Sequence, residues 1–292
     1  VNLRTLLTLG RTSNLPTVWS NILSGAVLSG ATFGGGSLLL LLVCGSAFYE
    51  GGMFLNDAFD AELDRRERPA RPIPSGQVSQ STVFFAGFAL LGAGLTLLAI
   101  APYLRLTRPG FAATLAGVAT CAAVLVYNRW HKGHAWSPIV MGACRAGLYA
   151  TAALAVSGQL GSVVLISAGA LWLYIIGLTH IARFENGSVV DRAWVAAFVL
   201  SPLLAAAPAV IAQRAALPAL CFALLLGWSL RSMSFALRGG KGQIPRAVVS
   251  LIAGASLVDA LFISLHGNPY FALAALGTFL LTLKWQRKIP GT

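Results

Sequence analysis

Residues 54–76 read FLNDAFDAELDRRERPARPIPSG. Five of the chain's nine acidic residues stand here, Asp57, Asp60, Glu62, Asp64 and Glu67, with Arg65, Arg66, Arg68 and Arg71 among and after them. The stretch prolongs an apolar run that begins near residue 37, so it reads as the polar end of a helix. At about 100° per residue, Asp57, Asp60 and Asp64 share an arc of roughly 60°, Asn56 borders it and Glu62 points away. Like charges gathered on one face repel, more so where the dielectric is low. A hard divalent cation relieves that repulsion, and Mg2+ characteristically takes one or two carboxylates together with substrate phosphates. The plainer alternative is a solvated helix end paired with Arg65, Arg66 and Arg68.

The remaining residues show which solvent surrounds that helix. The chain has 292 residues, of which 57% are hydrophobic and 10% charged. A soluble domain carries roughly a quarter charged residues. Apolar segments run at about 15–33, 37–58, 81–103, 110–127, 137–157, 161–183, 190–211, 215–235, 246–265 and 269–284. Most approach the ~20 residues that cross the hydrocarbon of a bilayer. They lack strict alternation, and in lipid only helices and closed barrels satisfy their own backbone. The expectation is an all-α polytopic membrane protein, one domain over residues 1–292, with nine firm spans and a shorter tenth. The four cysteines, Cys44, Cys121, Cys144 and Cys221, have no CxxC spacing and read as small packing residues. The opening residues VNLRTLLTLGRTSNLP do not read as a signal peptide.

The net charge of +12 would suggest nucleic acid as the partner of a soluble protein. Here the basic residues read instead as membrane anchors, and no nucleic acid is expected. With the N-terminus inside, most Lys and Arg residues fall on one side, as the positive-inside rule requires. The long loops 64–80, 128–137 and 236–246 then face the cytoplasm, and polar chemistry is expected there.

NDAFDAELD fits the pattern NDxxDxxxD, and RPARPIPSG follows it. Together with YNRWHK at 127–132 and the Gly142-containing fifth segment, these residues resemble the UbiA superfamily of intramembrane prenyltransferases. The resemblance covers nearly the whole chain. It implies a helical bundle around a central cavity, open to the cytoplasmic side and laterally to lipid. It implies transfer of a prenyl group from an allylic diphosphate to a small acceptor, aromatic or a polar cyclic alcohol. Mg2+ would sit on Asp57, Asp60 and Asp64, stabilising the departing diphosphate as a Lewis acid. Asn56, Arg68, Arg71, Arg129 and Lys132 are the expected diphosphate ligands, Arg71 foremost. A bacterial cytoplasmic membrane is the expected location, with membrane lipid, prenyl diphosphate and acceptor as partners. GLTHIARFENG, ASLVDALFISLHGN and the ending KIPGT resemble the EboC branch of the superfamily.

One family feature is thin. Where a second Asp-rich motif is expected, the chain has LYIIGLTHIARFENGSVVD, which leaves Glu185 as the metal ligand near the expected place, with Arg183 replacing a second ion against the diphosphate. A non-catalytic lipid-binding or metabolite-translocating protein on the same fold is therefore the alternative. A cation transporter fits less well, because six of the nine acids lie between residues 50 and 67.

Ionisable groups inside a membrane are costly and default to functional hypotheses. Glu50 lies about 10 Å deeper than Asp57 on the same face, and Arg145 about 12 Å into its own segment. The two are expected to face the cavity and pair, with Glu50 as acceptor ligand or general base, or else as structural glue. Asn21 and Tyr149 are weaker cavity-lining candidates, as is Asn14. Asp259 is expected to make a local helix-to-helix hydrogen bond.

Overall fold

A computed structural model describes residues 2–183, 193–238 and 242–291. Eleven α-helices follow one another, with no strand among the described residues: α1 Leu3–Leu9, α2 Leu15–Leu28, α3 Gly35–Glu67, α4 Gln80–Ile100, α5 Ala112–Trp130, α6 Ser137–Ser157, α7 Ser162–Ala182, α8 Ala193–Gln213, α9 Ala216–Arg238, α10 Gln243–His266 and α11 Pro269–Gln286. Each of the ten apolar segments carries one of the helices α2 to α11. Eight of them, α3 to α10, are long and apolar enough to cross a membrane. The chain is an integral, multi-pass membrane protein.

The first expected span is shorter than its apolar run. Helix α2 holds 14 residues, about 21 Å at 1.5 Å per residue, against roughly 30 Å of hydrocarbon. It stops at Leu28 because Ser29 caps it and Gly30 turns left-handed, with φ of 72°. The short helix α1 ahead of it was not visible as an apolar segment.

Local signals set the other ends. Helix α3 runs nine residues past the expected end at residue 58, through the acidic stretch to Glu67. It stops just before Pro69, whose ring disfavours the helical conformation of the residue ahead of it. Ser79 caps α4 by accepting from the Thr82 amide at 3.1 Å. Pro138 sits in the first turn of α6, and Gly158 ends that helix in the left-handed region.

From α2 onward consecutive helices lie against one another, and α2 runs through the middle, touching α3, α6, α10 and α11. Its position needs a glycine. A Cβ on Gly25 would collide with the Tyr149 backbone, so α2 and α6 cross at backbone contact. Helix α10 is the most buried of the long helices, its apolar window 78% enclosed. Helices α3, α5, α6, α7 and α10 leave a cavity of about 630 Å³ between them.

Candidate active site

The C-terminal ends of α3, α5 and α7 reach the same end of the bundle, since neighbouring helices alternate in direction. They bring Arg68, Lys132 and Arg183 to the cavity wall. The acidic face of α3 supplies Asn56, Asp60 and Asp64 to that wall, and the turn after α3 supplies Arg71. Farther in, Phe48, Val124, Leu148 and Ile252 make the lining mostly apolar. The result is a charged end above an apolar interior.

The three aspartates keep the shared face expected of them, and each already holds a cation. Arg71 Nη1 donates to Asp64 Oδ2 at 2.8 Å and lies 3.3 Å from Asp57 Oδ1. Lys132 Nζ donates to Asp60 Oδ1 at 2.7 Å. Asp57 also receives Arg11 Nη2 at 3.2 Å. It is buried behind these two arginines rather than lining the cavity. Glu62 points outward to Arg65 and Arg66, as the helical spacing requires.

His131, one residue past the end of α5, stands 3.6 Å from Asp60 Oδ2. Burial pushes its pKa below the ordinary value, Asp60 pulls it back up, and Lys132 pushes it down. The net direction favours the neutral imidazole, and Lys132 is the standing cation at Asp60.

Arg11 was expected only as a membrane anchor. It lies between α1 and a 3-10 turn at Thr12–Asn14, with its backbone left-handed at φ of 42°. A non-glycine residue held there stores strain that the fold must repay. What repays it is the reach of the side chain to Asn56 Oδ1 at 3.1 Å and to Asp57. Helix α1 is pinned over the site by Thr5, whose hydroxyl donates to Gln77 Oε1 at 2.8 Å. Asn128 was quoted in YNRWHK but given no role. It donates to the Gly52 carbonyl at 2.8 Å and accepts from Asn56 at 3.3 Å, so it fixes which end of the Asn56 amide faces Arg11. An amide side chain in the last turn of an apolar helix was the signal available for it.

Several expected placements are corrected. Glu50 and Arg145 do not pair. Glu50 accepts from the Thr12 hydroxyl at 3.2 Å and does not line the cavity, because the N-terminal segment lies against its side of α3. Arg145 does line it, donating from Nη1 to Thr17 Oγ1 at 3.1 Å and Asn21 Oδ1 at 2.9 Å. Asn21 and Tyr149 are fully buried and turned away from the cavity, where both donate to Asp259. Asp259 thus makes the helix-to-helix bonds expected of it. Arg129 is exposed over the Trp130 ring at 5.9 Å and does not reach the cavity wall. Asn14 reaches it, held by Gln286 at 2.9 Å and Gly291 at 2.8 Å. Glu185 lies outside the described residues.

The donor set suits a hard cation in a limited way. No group of three or more His, Cys, Asp or Glu side chains converges on one point among the described residues. Asp60 and Asp64, the two carboxylates on the wall, fit an ion that draws its other ligands from water and a substrate phosphate. Arg11, Arg68, Arg71, Lys132, Arg145 and Arg183 outnumber Asp60, Asp64 and Glu67 on the wall, so the cavity favours an anionic ligand.

Known proteins share this fold. The UbiA prenyltransferase family matches residues 15–238. The chain is 30% identical over 158 residues to a digeranylgeranylglyceryl phosphate synthase of Metallosphaera sedula, a match covering 54% of this chain and 43% of the relative. It therefore spans less than half the length of that relative. The solved structure of a UbiA homologue from Aeropyrum pernix K1 superposes with a TM-score of 0.66 at 19% identity, covering 85% of this chain and 97% of the other. A UbiA homologue from Archaeoglobus fulgidus, solved with GPP and Mg2+, gives a TM-score of 0.53 at 12% identity over 96% and 99% of the two chains. The acidic face of α3, the basic rim above it and the helical frame around both agree with a match across most of the chain, and the protein belongs to the UbiA prenyltransferase family.

Proposed function

We propose that the protein transfers a prenyl group, inside the membrane, from an allylic diphosphate to a hydroxyl of a phosphorylated glycerol derivative. The observation that carries this reading is the pair Asp60 and Asp64 at the charged end of the cavity, faced by Arg68, Arg71, Lys132 and Arg183 above an apolar interior. We place that end at the cytoplasmic face, on the Lys and Arg bias of the loops. The acceptor class follows the name of the Metallosphaera relative and replaces the broader aromatic or cyclic-alcohol expectation. The EboC branch draws no support from that name.

Mg2+ bound by Asp60 and Asp64 would supply Lewis-acid stabilisation of the departing diphosphate. The chain's own residues do the remainder. Arg71 and Lys132 give up their carboxylates and turn to phosphate oxygens, an exchange between two charge-assisted partners. Arg11 stays on Asp57 and keeps Asn56 aimed at the wall. Phe48, Val124, Leu148 and Ile252 take the tail and exclude water from the allylic cation. The C–O bond of the donor breaks with its electron pair on diphosphate. The acceptor oxygen forms the new C–O bond, and its proton passes to the departing diphosphate. Glu50 lies off the cavity, so this reading gives it no role as base.

One observation favours the non-catalytic reading: every rim aspartate already has a built-in cation and needs no metal for neutrality. Labelled allylic diphosphate and Mg2+, supplied to protein in lipid nanodiscs, separate the two. Acceptor-dependent release of diphosphate that Asp64→Asn abolishes supports transfer. Binding of the donor without release, whatever acceptor is supplied, supports the rival.

A further inference from the structure

Arg145 sits inside the bundle, where an unmatched charge is costly. No carboxylate lies within ion-pair distance of it among the described residues. Its Nη1 makes both hydrogen bonds, to Thr17 and Asn21, while its Nε and Nη2 make none described. The Tyr49 ring lies 5.4 Å beneath the guanidinium. So the charge faces the cavity with donors to spare, and no group among the described residues spends them.

Its orientation is nevertheless fixed, from behind. Asn21 Oδ1 accepts from Arg145, and Asn21 Nδ2 donates to Asp259 Oδ2 at 2.8 Å. Arginine only donates and a carboxylate only accepts, so the amide cannot flip without losing both bonds. The second Asp259 oxygen accepts from Tyr149, and Ser20 of α2 is bonded to Ser256 one turn earlier in α10 at 3.0 Å. Asp259 is fully buried and touches no cation directly among the described residues. One neutral amide therefore separates a buried anion from a buried cation. The arrangement balances charge across α2, α6 and α10 and leaves the guanidinium unneutralised on its cavity side.

The depth of Arg145 sets it apart from the donor's headgroup. Helix α3 rises about 16 Å between Tyr49, beneath Arg145, and Asp60 at the rim. A diphosphate anchored on Asp60 and Asp64 falls well short of that. The prenyl tail gains nothing from a guanidinium. The remaining participant is the acceptor.

Building on the transfer reading above, we propose that Asp259 and Asn21 are positioning residues that hold Arg145 as an oxyanion subsite for the acceptor. Arg145 grips the phosphate or carboxylate of the acceptor through Nε and Nη2, in the forked geometry that guanidinium offers. The acceptor hydroxyl then points back toward the rim, where the allylic carbon lies.

The test is equilibrium binding to the full chain in nanodiscs with three probes: a short-chain alkylglycerol phosphate, the same alkylglycerol without phosphate, and a hydroxybenzoate. Arg145→Gln is expected to weaken the phosphorylated probe about ten-fold or more, the loss of a charged hydrogen-bond pair, and Arg145→Lys to weaken it less. Binding of the unphosphorylated probe and of the Mg2+-bound donor stays within about two-fold, which also certifies the fold of the variant. Asp259→Asn, which keeps shape and removes charge, weakens the phosphorylated probe in the wild-type background and adds nothing on top of Arg145→Gln. A structural residue would instead lower binding equally in both backgrounds, and that result would overturn the positioning role. Unchanged affinity in Arg145→Gln, or no wild-type binding of either anionic probe, overturns the subsite. An Arg145-dependent hydroxybenzoate with an indifferent glycerol phosphate keeps the subsite and removes only the proposed acceptor. Arg145-dependent binding in a preparation that releases no diphosphate keeps the subsite and removes the transfer reading.

Discussion

Two charged clusters reach the wall of one cavity, through Asp60 and Asp64 at the rim and through Arg145 farther in, and they manage charge differently. At the rim, Arg71 and Lys132 touch Asp64 and Asp60 directly. In the bundle, Arg145 and Asp259 are kept apart by the amide of Asn21. Direct pairs at the charged end of the cavity can exchange partners, because an incoming metal and phosphate replace what each one loses. A pair within the bundle has no such reserve, so its geometry must be held by hydrogen bonds that satisfy every oxygen. The rim is thus suited to handing carboxylates to a metal and arginines to a phosphate. The inner cluster is suited to staying as it is.

That difference orders the expected effects. Asp64→Asn at the rim removes a wall carboxylate while Arg71 keeps Asp57, so the fold should stand. Diphosphate release should fall by about 100-fold or more, the scale seen when one charge-stabilising group is lost. A variant with near-normal release would erase the distinction between the clusters. Asp259→Ala should do the reverse and act on stability first, by about 3 kcal/mol, since it leaves Asn21 and Tyr149 donors unmet and Arg145 unbalanced. Unfolding in mild detergent measures it, and an unchanged midpoint would mean the inner network carries no structural weight. Gly25→Ala drives a methyl group into the Tyr149 backbone where α2 meets α6. It should cost about 1–3 kcal/mol by the same measurement, with acceptor affinity falling alongside. Glu62→Ala removes only an exposed pair with Arg65 and Arg66, and both stability and turnover should move by less than about 1 kcal/mol.

The rim was legible in the sequence because its signal is periodic. Asp57, Asp60 and Asp64 share a face through helical geometry alone, and Glu62 fails to share it for the same reason. Helix α3 outlasts the apolar residues that suggested its length, and it runs on until Pro69 stops it. The inner cluster was half legible. Arg145 and Asp259 stood out as charges in apolar runs, and the local bond of Asp259 followed. The partner assigned to Arg145 was wrong because depth along a helix says nothing about its azimuth. Glu50 matches Arg145 in depth, but Thr12 and the strained turn at Arg11 occupy its side of α3. Arg11 itself was missed because one arginine after a glycine looks like any membrane anchor. Its role appears only when the chain folds back over Asp57, a contact 46 positions apart in sequence.

The central claim is that Asp60 and Asp64 hold the headgroup of an allylic diphosphate through Mg2+ at the charged end of the cavity. Calorimetric titration of a non-hydrolysable allylic diphosphate analogue into nanodisc-embedded protein, with and without Mg2+, tests it without needing the acceptor. The account predicts binding that requires the metal and disappears in both Asp60→Asn and Asp64→Asn. Metal-independent binding that survives both substitutions would contradict it.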